Sequence, residues 1–242
     1  MGREEKKMNR QRIIQLLSTI TIASILVACQ STQSQTDSTS NTVQTAQNVP
    51  AKPGGEGFGG SDQVTQGEAA TNLTTDSTIS GETYESTGDD ENALRVTGAT
   101  VTLNGVTIQK SAGATSNTEN GDFYGMNAGF LATDGANVSI KDATVLTSAQ
   151  NGNGIFSYGN QTTVNVENTT IQTTKDNSGG TQTTGGGTMN ATNLTVTTAG
   201  NSSAAIRTDL GGGTVVVNKG TYTSNGYNSP AVYSTADITV KN

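Results

Sequence analysis

The sequence predicts an all-β chain wound as a right-handed parallel β-helix, a solenoid of about 24–26 residues per three-strand rung. Three observations predict it. First, apolar positions recur with locked spacing. Ile79, Leu103, Ile140, Val166, Ala191 and Val217 form one register, and five residues after each stand Tyr84, Ile108, Val145, Ile171, Val196 and Tyr222. Ten residues further come Leu94, Ile155, Thr181, Ile206 and Val232, whereas Phe130 lies 22 residues after Ile108. Second, the chain alternates with period two around these positions, as in Val138-Ser139-Ile140 and Val164-Asn165-Val166, which is the pattern of a half-buried strand. Third, the short step between the first two registers always carries a turn pair, such as Asn104-Gly105, Lys141-Asp142 or Glu167-Asn168, whose members tolerate a left-handed backbone. A β-sandwich of many short strands is the alternative, but its spacings would not stay locked over six units.

Each element follows from the repeat. Stacked rungs put like residues over one another about 4.8 Å apart. The interior is then a set of aliphatic columns, with Phe130 and Tyr222 as larger plugs. Ala132, Ser157, Thr183, Thr208 and Ser234, each two residues after the third register, suit a narrow interior. Inward Thr and Ser hydroxyls need partners, and a ladder of stacked hydroxyls is the expected solution. The 12-residue excess before Phe130 is an insertion within Ser111–Asn127, expected as a projecting loop or as a cover over the wall. No helix is expected after about residue 28. The acidic run Gly88-Asp89-Asp90-Glu91 reads as a solvated corner.

The first 28 residues differ in kind. Arg3, Lys6, Lys7, Arg10 and Arg12 precede an apolar stretch from Ile13 to Val27, the order of a secretory signal. Residues 29–75 are expected to be a flexible, low-complexity tether, and residues 76–242 the solenoid. Residues 1–28 hold five of the 13 basic and two of the 20 acidic residues, so the remainder keeps 8 and 18, a net of −10. Such a chain is a poor nucleic-acid partner.

No catalytic motif stands out. The chain has no His and one Cys, which removes ordinary Ser-His and Cys-His pairs and disfavours zinc. No metal or other cofactor is expected. In the outward column of the third wall the spacing stacks Leu131, Phe156, Gln182, Arg207 and Tyr233, with Asp209 two residues beyond Arg207 on the same face. Phe156, Arg207, Asp209 and Tyr233 are therefore candidates for a carbohydrate-binding strip, or for a stacked ladder that only stabilises the wall. Asp122, Phe123 and Tyr124, near the end of the insertion, are candidates for recognition.

Two resemblances add expectations. Leu26-Val27-Ala28-Cys29 resembles the lipobox of bacterial lipoproteins. It implies that Cys29 becomes an acylated N-terminus that anchors the chain to the lipid bilayer at the bacterial cell surface. The segment Thr83–Asn242 resembles adhesin-like bacterial surface β-helix proteins of unknown function. The resemblance rests on Ser86–Leu94, Asp122–Ala128, Asn201–Ile206 and Ser229–Ser234. It implies a binding, adhesion or structural module toward carbohydrate or a surface protein. Pectin lyase-like polysaccharide lyases and glycoside hydrolases use the same scaffold, so such an enzyme is the alternative. The chain ends at Asn242 just after a first-register strand, which leads to the expectation of further rungs or a pairing partner.

Overall fold

The computed structural model describes residues 63–242, which form a parallel β-solenoid of about seven turns. The first wall comprises Ser77–Ser80, Thr100–Asn104, Asn137–Lys141 and Thr163–Glu167. It continues through the leading halves of two long strands, Gly187–Thr198 and Gly213–Ser224, to Asp237–Lys241. The second wall comprises Thr83–Ser86, Thr107–Lys110, Thr144–Thr147 and Thr170–Thr173, and then the trailing halves of the same long strands. The third wall runs through Asn72–Leu73, Leu94–Thr97, Phe130–Thr133, Ile155–Tyr158, Thr181–Thr184, Ile206–Thr208 and Val232–Tyr233.

The register matches the repeat residue for residue. Ile140 lies between Leu103 and Val166, Val145 between Ile108 and Ile171, and Ile155 between Phe130 and Thr181. These side chains are essentially inaccessible and form one continuous core. Each such aliphatic contributes on the order of 1.5–3 kcal/mol by leaving water, and that burial holds the rungs together. The first corner is the same in every rung. Gly81, Gly105, Asp142, Asn168, Asn193 and Lys219 all take positive φ, between 50° and 71°. Lys219 adopts it without the freedom of Gly or the local hydrogen bonding of Asn.

A column not visible in the apolar pattern sets the width of the interior. Gly129, Gly154 and Gly180 each immediately precede a third-register residue. A Cβ at Gly154 would run into Ile171, and one at Gly180 into Val196. The second-wall side chains therefore fill the space that these glycines leave empty.

The interior hydroxyls are met differently from the expectation, and Thr183 Oγ1 is buried without a partner among the described residues. On the third wall they bond mostly to the main chain. Ser157 Oγ donates to Thr188 O (3.1 Å), Thr181 Oγ1 to Ala205 O (3.3 Å), and Thr208 Oγ1 accepts from Thr235 N (3.0 Å). A hydroxyl stack does occur, at the second corner. There Ser203 Oγ accepts from Ser178 N and Ser229 Oγ accepts from Ser203 N, each at 2.9 Å. Thr173 and Thr198 close the corner on Ser178 O and Ser203 O, both at 2.5 Å. In the same inward column Lys110 is fully buried, its Nζ held by Ser86 Oγ (3.1 Å) and by the Gly88 carbonyl. Burial lowers the Lys110 pKa, opposed by Glu91, Asp89 and Asp90.

Tyr222, the larger plug at the other end of the core, carries a buried hydroxyl with no partner among the described residues. Burial pushes its pKa up to about 12. A raised folded-state pKa stabilises below the unfolded value of about 10, and that contribution is lost as pH rises through about 12. Tyr222→Phe is expected to raise stability by about 1 kcal/mol. It should also remove the alkaline loss between these values, read from melting temperatures across pH. An unchanged alkaline limb in the variant would contradict this.

Two further points correct the sequence reading. Strand structure begins at Glu68–Ala69, which pairs with Glu91–Asn92, inside the segment 29–75 read as tether. The cause is Arg95, whose Nη2 donates to the carbonyls of Gln66 (2.7 Å), Gly67 (3.0 Å) and Glu68 (2.9 Å). A low-complexity composition hides a segment held largely through its backbone, with the Gln66 side chain donating to Thr133 Oγ1 (3.3 Å). The acidic run is also not merely solvated. Asp89 and Asp90 accept from the backbone of Ala114 (2.6 Å) and Ser116 (2.8 Å), fastening the start of the insertion.

Candidate functional site

The insertion contains a short helix, Thr118–Tyr124, where no helix was expected. Its caps were readable. Asn117 accepts from Asn120 N at the start, and Gly125 takes φ 79° at the end. Seven residues are too few to bury a helical stripe, so periodicity gave no signal.

The helix lies over the third wall, and side chains of that wall and of the segments leading into it satisfy its unpaired C-terminal carbonyls. Gln182 donates to Asp122 O (2.5 Å), Thr184 to Phe123 O (2.6 Å), Gln66 to Tyr124 O (3.0 Å) and Asn92 to Gly125 O (2.9 Å). Beneath it, Leu131, Phe156 and Ala128 form a second apolar cluster with Tyr158 against them. Tyr124 meets the Tyr158 ring edge-on at 5.6 Å.

The outward column is in the expected register, Leu131–Phe156–Gln182–Arg207–Tyr233. Its surface role is corrected for Phe156. That side chain points away from the solenoid interior but is 0% exposed, because the helix covers it. Phe123 and Tyr124 are half-buried in the same cover rather than projecting. Arg207, Asp209, Tyr233 and Asp122 come together beyond the end of the helix.

There Arg207 lies between two carboxylates. Its Nη2 meets Asp209 Oδ2 at 2.5 Å and its Nη1 meets Asp122 Oδ1 at 3.3 Å, a pair separated by 85 residues. Asp122 also accepts from Asn151 Nδ2 at 2.9 Å. The Arg207 guanidinium stands 5.6 Å from the Tyr233 ring centroid, within range of a cation–π contact. Burial raises the Asp122 pKa, partly offset by Arg207. Burial works against the Arg207 charge as well, but Asp122 and Asp209 together hold its pKa above the ordinary value.

Asp122, Arg207 and Tyr233 line a groove of about 310 Å³, which Asn177, Ser202, Ala204, Asn228 and Pro230 complete. Asn177, Ser202 and Asn228 occupy the same place in successive second corners, each with φ between 51° and 54°. Asn151, one rung earlier in that row, donates to Thr118 O and Asp122 of the helix. Beyond the helix, the side chains of Asn177, Ser202 and Asn228 make no hydrogen bond among the described residues. The row thus continues as unused polar groups spaced by about one strand separation. Sequence reasoning missed them. Their signal was a corner residue four positions before the third-register residues Ile155, Thr181, Ile206 and Val232, Asn or Ser in each of these four rungs.

The geometry offers hydrogen bonding and an aromatic surface. Arg207 occupies the gap between the two carboxylates, so they do not face each other across an open space where a bond could be cleaved. Among the described residues no cluster of His, Cys, Asp and Glu could hold a metal ion, and no helix is long and apolar enough to cross a membrane. Cys29 and the basic and apolar N-terminal segment lie outside the described residues.

The fold defines the chain as a parallel β-solenoid with a helix-covered third wall and a polar groove beside the cover. No family model, curated protein or solved structure matches it.

Proposed function

We propose that the chain is an exported bacterial surface module, anchored to the lipid bilayer through acylated Cys29, whose solenoid binds carbohydrate. The observation that carries the binding reading is the groove. A row of unpaired Asn and Ser side chains runs past Tyr233, which is 43% exposed, with the largely covered Arg207 charge beside it. Neighbouring polar side chains beside an aromatic face are the usual means of holding a sugar ring, through its hydroxyls and its C–H face. The Arg207 guanidinium lying between Asp122 and Asp209 supports holding over cleavage.

The test is a glycan array probed with the chain, followed by product analysis of any polymer that binds. Binding without new reducing or unsaturated ends is the expected result, with affinity lost at least tenfold in Tyr233→Ala. Shortening of the polymer would replace the module with an enzyme, and failure to bind any glycan would end the carbohydrate reading. The anchor is tested separately. Cys29→Ser is expected to move the protein from the membrane to the soluble fraction, and unchanged membrane association would refute acylation at Cys29.

A further inference from the structure

Resting on the carbohydrate reading above, the groove also specifies which sugars it takes. We propose that it recognises an uncharged saccharide and rejects uronate-bearing or otherwise anionic ones. An isolated arginine in a sugar-binding groove would invite a carboxylate or sulfate. Arg207 is not isolated. Its Nε and Nη2 both donate to Asp209 Oδ2, at 3.0 and 2.5 Å, and Nη1 is directed to Asp122 Oδ1 at 3.3 Å. One face of the guanidinium is further covered by the Tyr233 ring.

Three of the five guanidinium N–H donors, including both of the Nε/Nη2 edge, are thus already engaged by the chain's own carboxylates. Two carboxylates against one guanidinium leave the cluster with a formal charge of −1. The side chains of Arg207, Asp122 and Asp209 are only 12–15% exposed, so water screens this charge poorly. An anionic ligand would meet net repulsion in a partly dry site. The remaining groove residues, Asn177, Ser202 and Asn228, are neutral donors and acceptors that match hydroxyls.

The groove covers three successive rungs, since Asn177, Ser202 and Asn228 lie in the turns that lead to Thr181, Ile206 and Val232. Two strand separations make it about 10 Å long, room for a short saccharide segment. At the helix end the wall is closed, because Gln182 is fully buried under Asp122. A bound saccharide therefore lies along the Asn177–Asn228 row with the charged cluster alongside the rungs of Asn177 and Ser202.

The experiment compares oligosaccharides of neutral hexoses with uronic-acid oligosaccharides of matched length. Each is titrated calorimetrically into the wild-type chain and into Asp122→Asn/Asp209→Asn. The wild type is expected to bind at least one neutral set at least tenfold tighter than its uronate counterpart. In the double variant, where the guanidinium is released and the cluster charge becomes +1, uronate affinity should rise at least tenfold. A wild type that binds uronates as tightly as neutral sugars overturns the class while leaving the carbohydrate reading intact. Binding of neither set overturns both. Should the double variant fold poorly by circular dichroism, Asp209→Asn alone carries the same sign of change, and the wild-type comparison decides the class without any variant.

Discussion

Gly180→Ala is expected to destabilise the solenoid by about 3 kcal/mol, the upper end of what overpacking costs. The added methyl would collide with Val196 Cγ1 and stand 2.7 Å from the backbone oxygen of Ala205. Neither neighbour can yield cheaply. Val196 is β-branched and fully buried, and the Ala205 carbonyl accepts the ladder hydrogen bond from Thr181 N at 3.0 Å. Relief must come from spreading the second and third walls, which loosens contacts in the rungs on both sides. Stability in a solenoid is carried largely by nearest-neighbour interfaces, so the loss should appear as early local opening around residues 171–206. Amide exchange there, together with the denaturation midpoint, measures it. Adding Val196→Ala should recover part of the loss, since it removes one of the two obstructions. A Gly180→Ala protein as stable as the wild type would mean that the interior is wider than these contacts describe.

Arg207→Met is expected to cost about 3–5 kcal/mol of local stability at neutral pH, because it strands two poorly solvated carboxylates. Asp122 would lose its cation while Asp209 remains across the vacated space, and both side chains are only 15% exposed. The helix Thr118–Tyr124 should detach from the wall, uncovering Phe156 and Leu131. Binding of a hydrophobic dye and faster amide exchange over the insertion report that event. The pH dependence has a definite sign. Burial already raises the Asp122 pKa, and removing Arg207 takes away the group that opposes the rise. A carboxyl whose folded pKa is raised favours the folded state below its unfolded value of about 3.9, and that advantage is lost as pH rises through the folded pKa. The deficit of Arg207→Met should therefore shrink on acidification toward pH ~4. A deficit independent of pH would show that Arg207 acts by packing alone.

The fold was readable because a solenoid repeats its local rules. Every first-register residue, from Ile79 to Val217, falls where the spacing put it, and the Asn, Asp and Gly of the first corner take the left-handed backbone that their chemistry allows. The candidate site was half readable. The outward column was found, as were Arg207, Asp209, Tyr233 and Asp122. That Asp122 would reach Arg207 across 85 residues was not, nor that Phe156 would be covered. The polar row of Asn177, Ser202 and Asn228 escaped notice because corner residues look alike when only apolar spacing is counted. The glycine column escaped for a related reason, since a position defined by missing side chains leaves no mark in an apolar pattern.

The repeat by itself determined the class of fold, the strand register and which residues face inward, because alternation and corner chemistry act between near neighbours in the chain. Only the tertiary structure decided what the outer surface of the third wall presents. Whether an outward residue meets water or protein depends on where the insertion comes to rest, and that is set by side-chain amides, a hydroxyl and one guanidinium contributed from five separate rungs. No local pattern encodes such a meeting, so Phe156 and Tyr233, equivalent in the repeat, end one beneath a helix and the other at the rim of a groove.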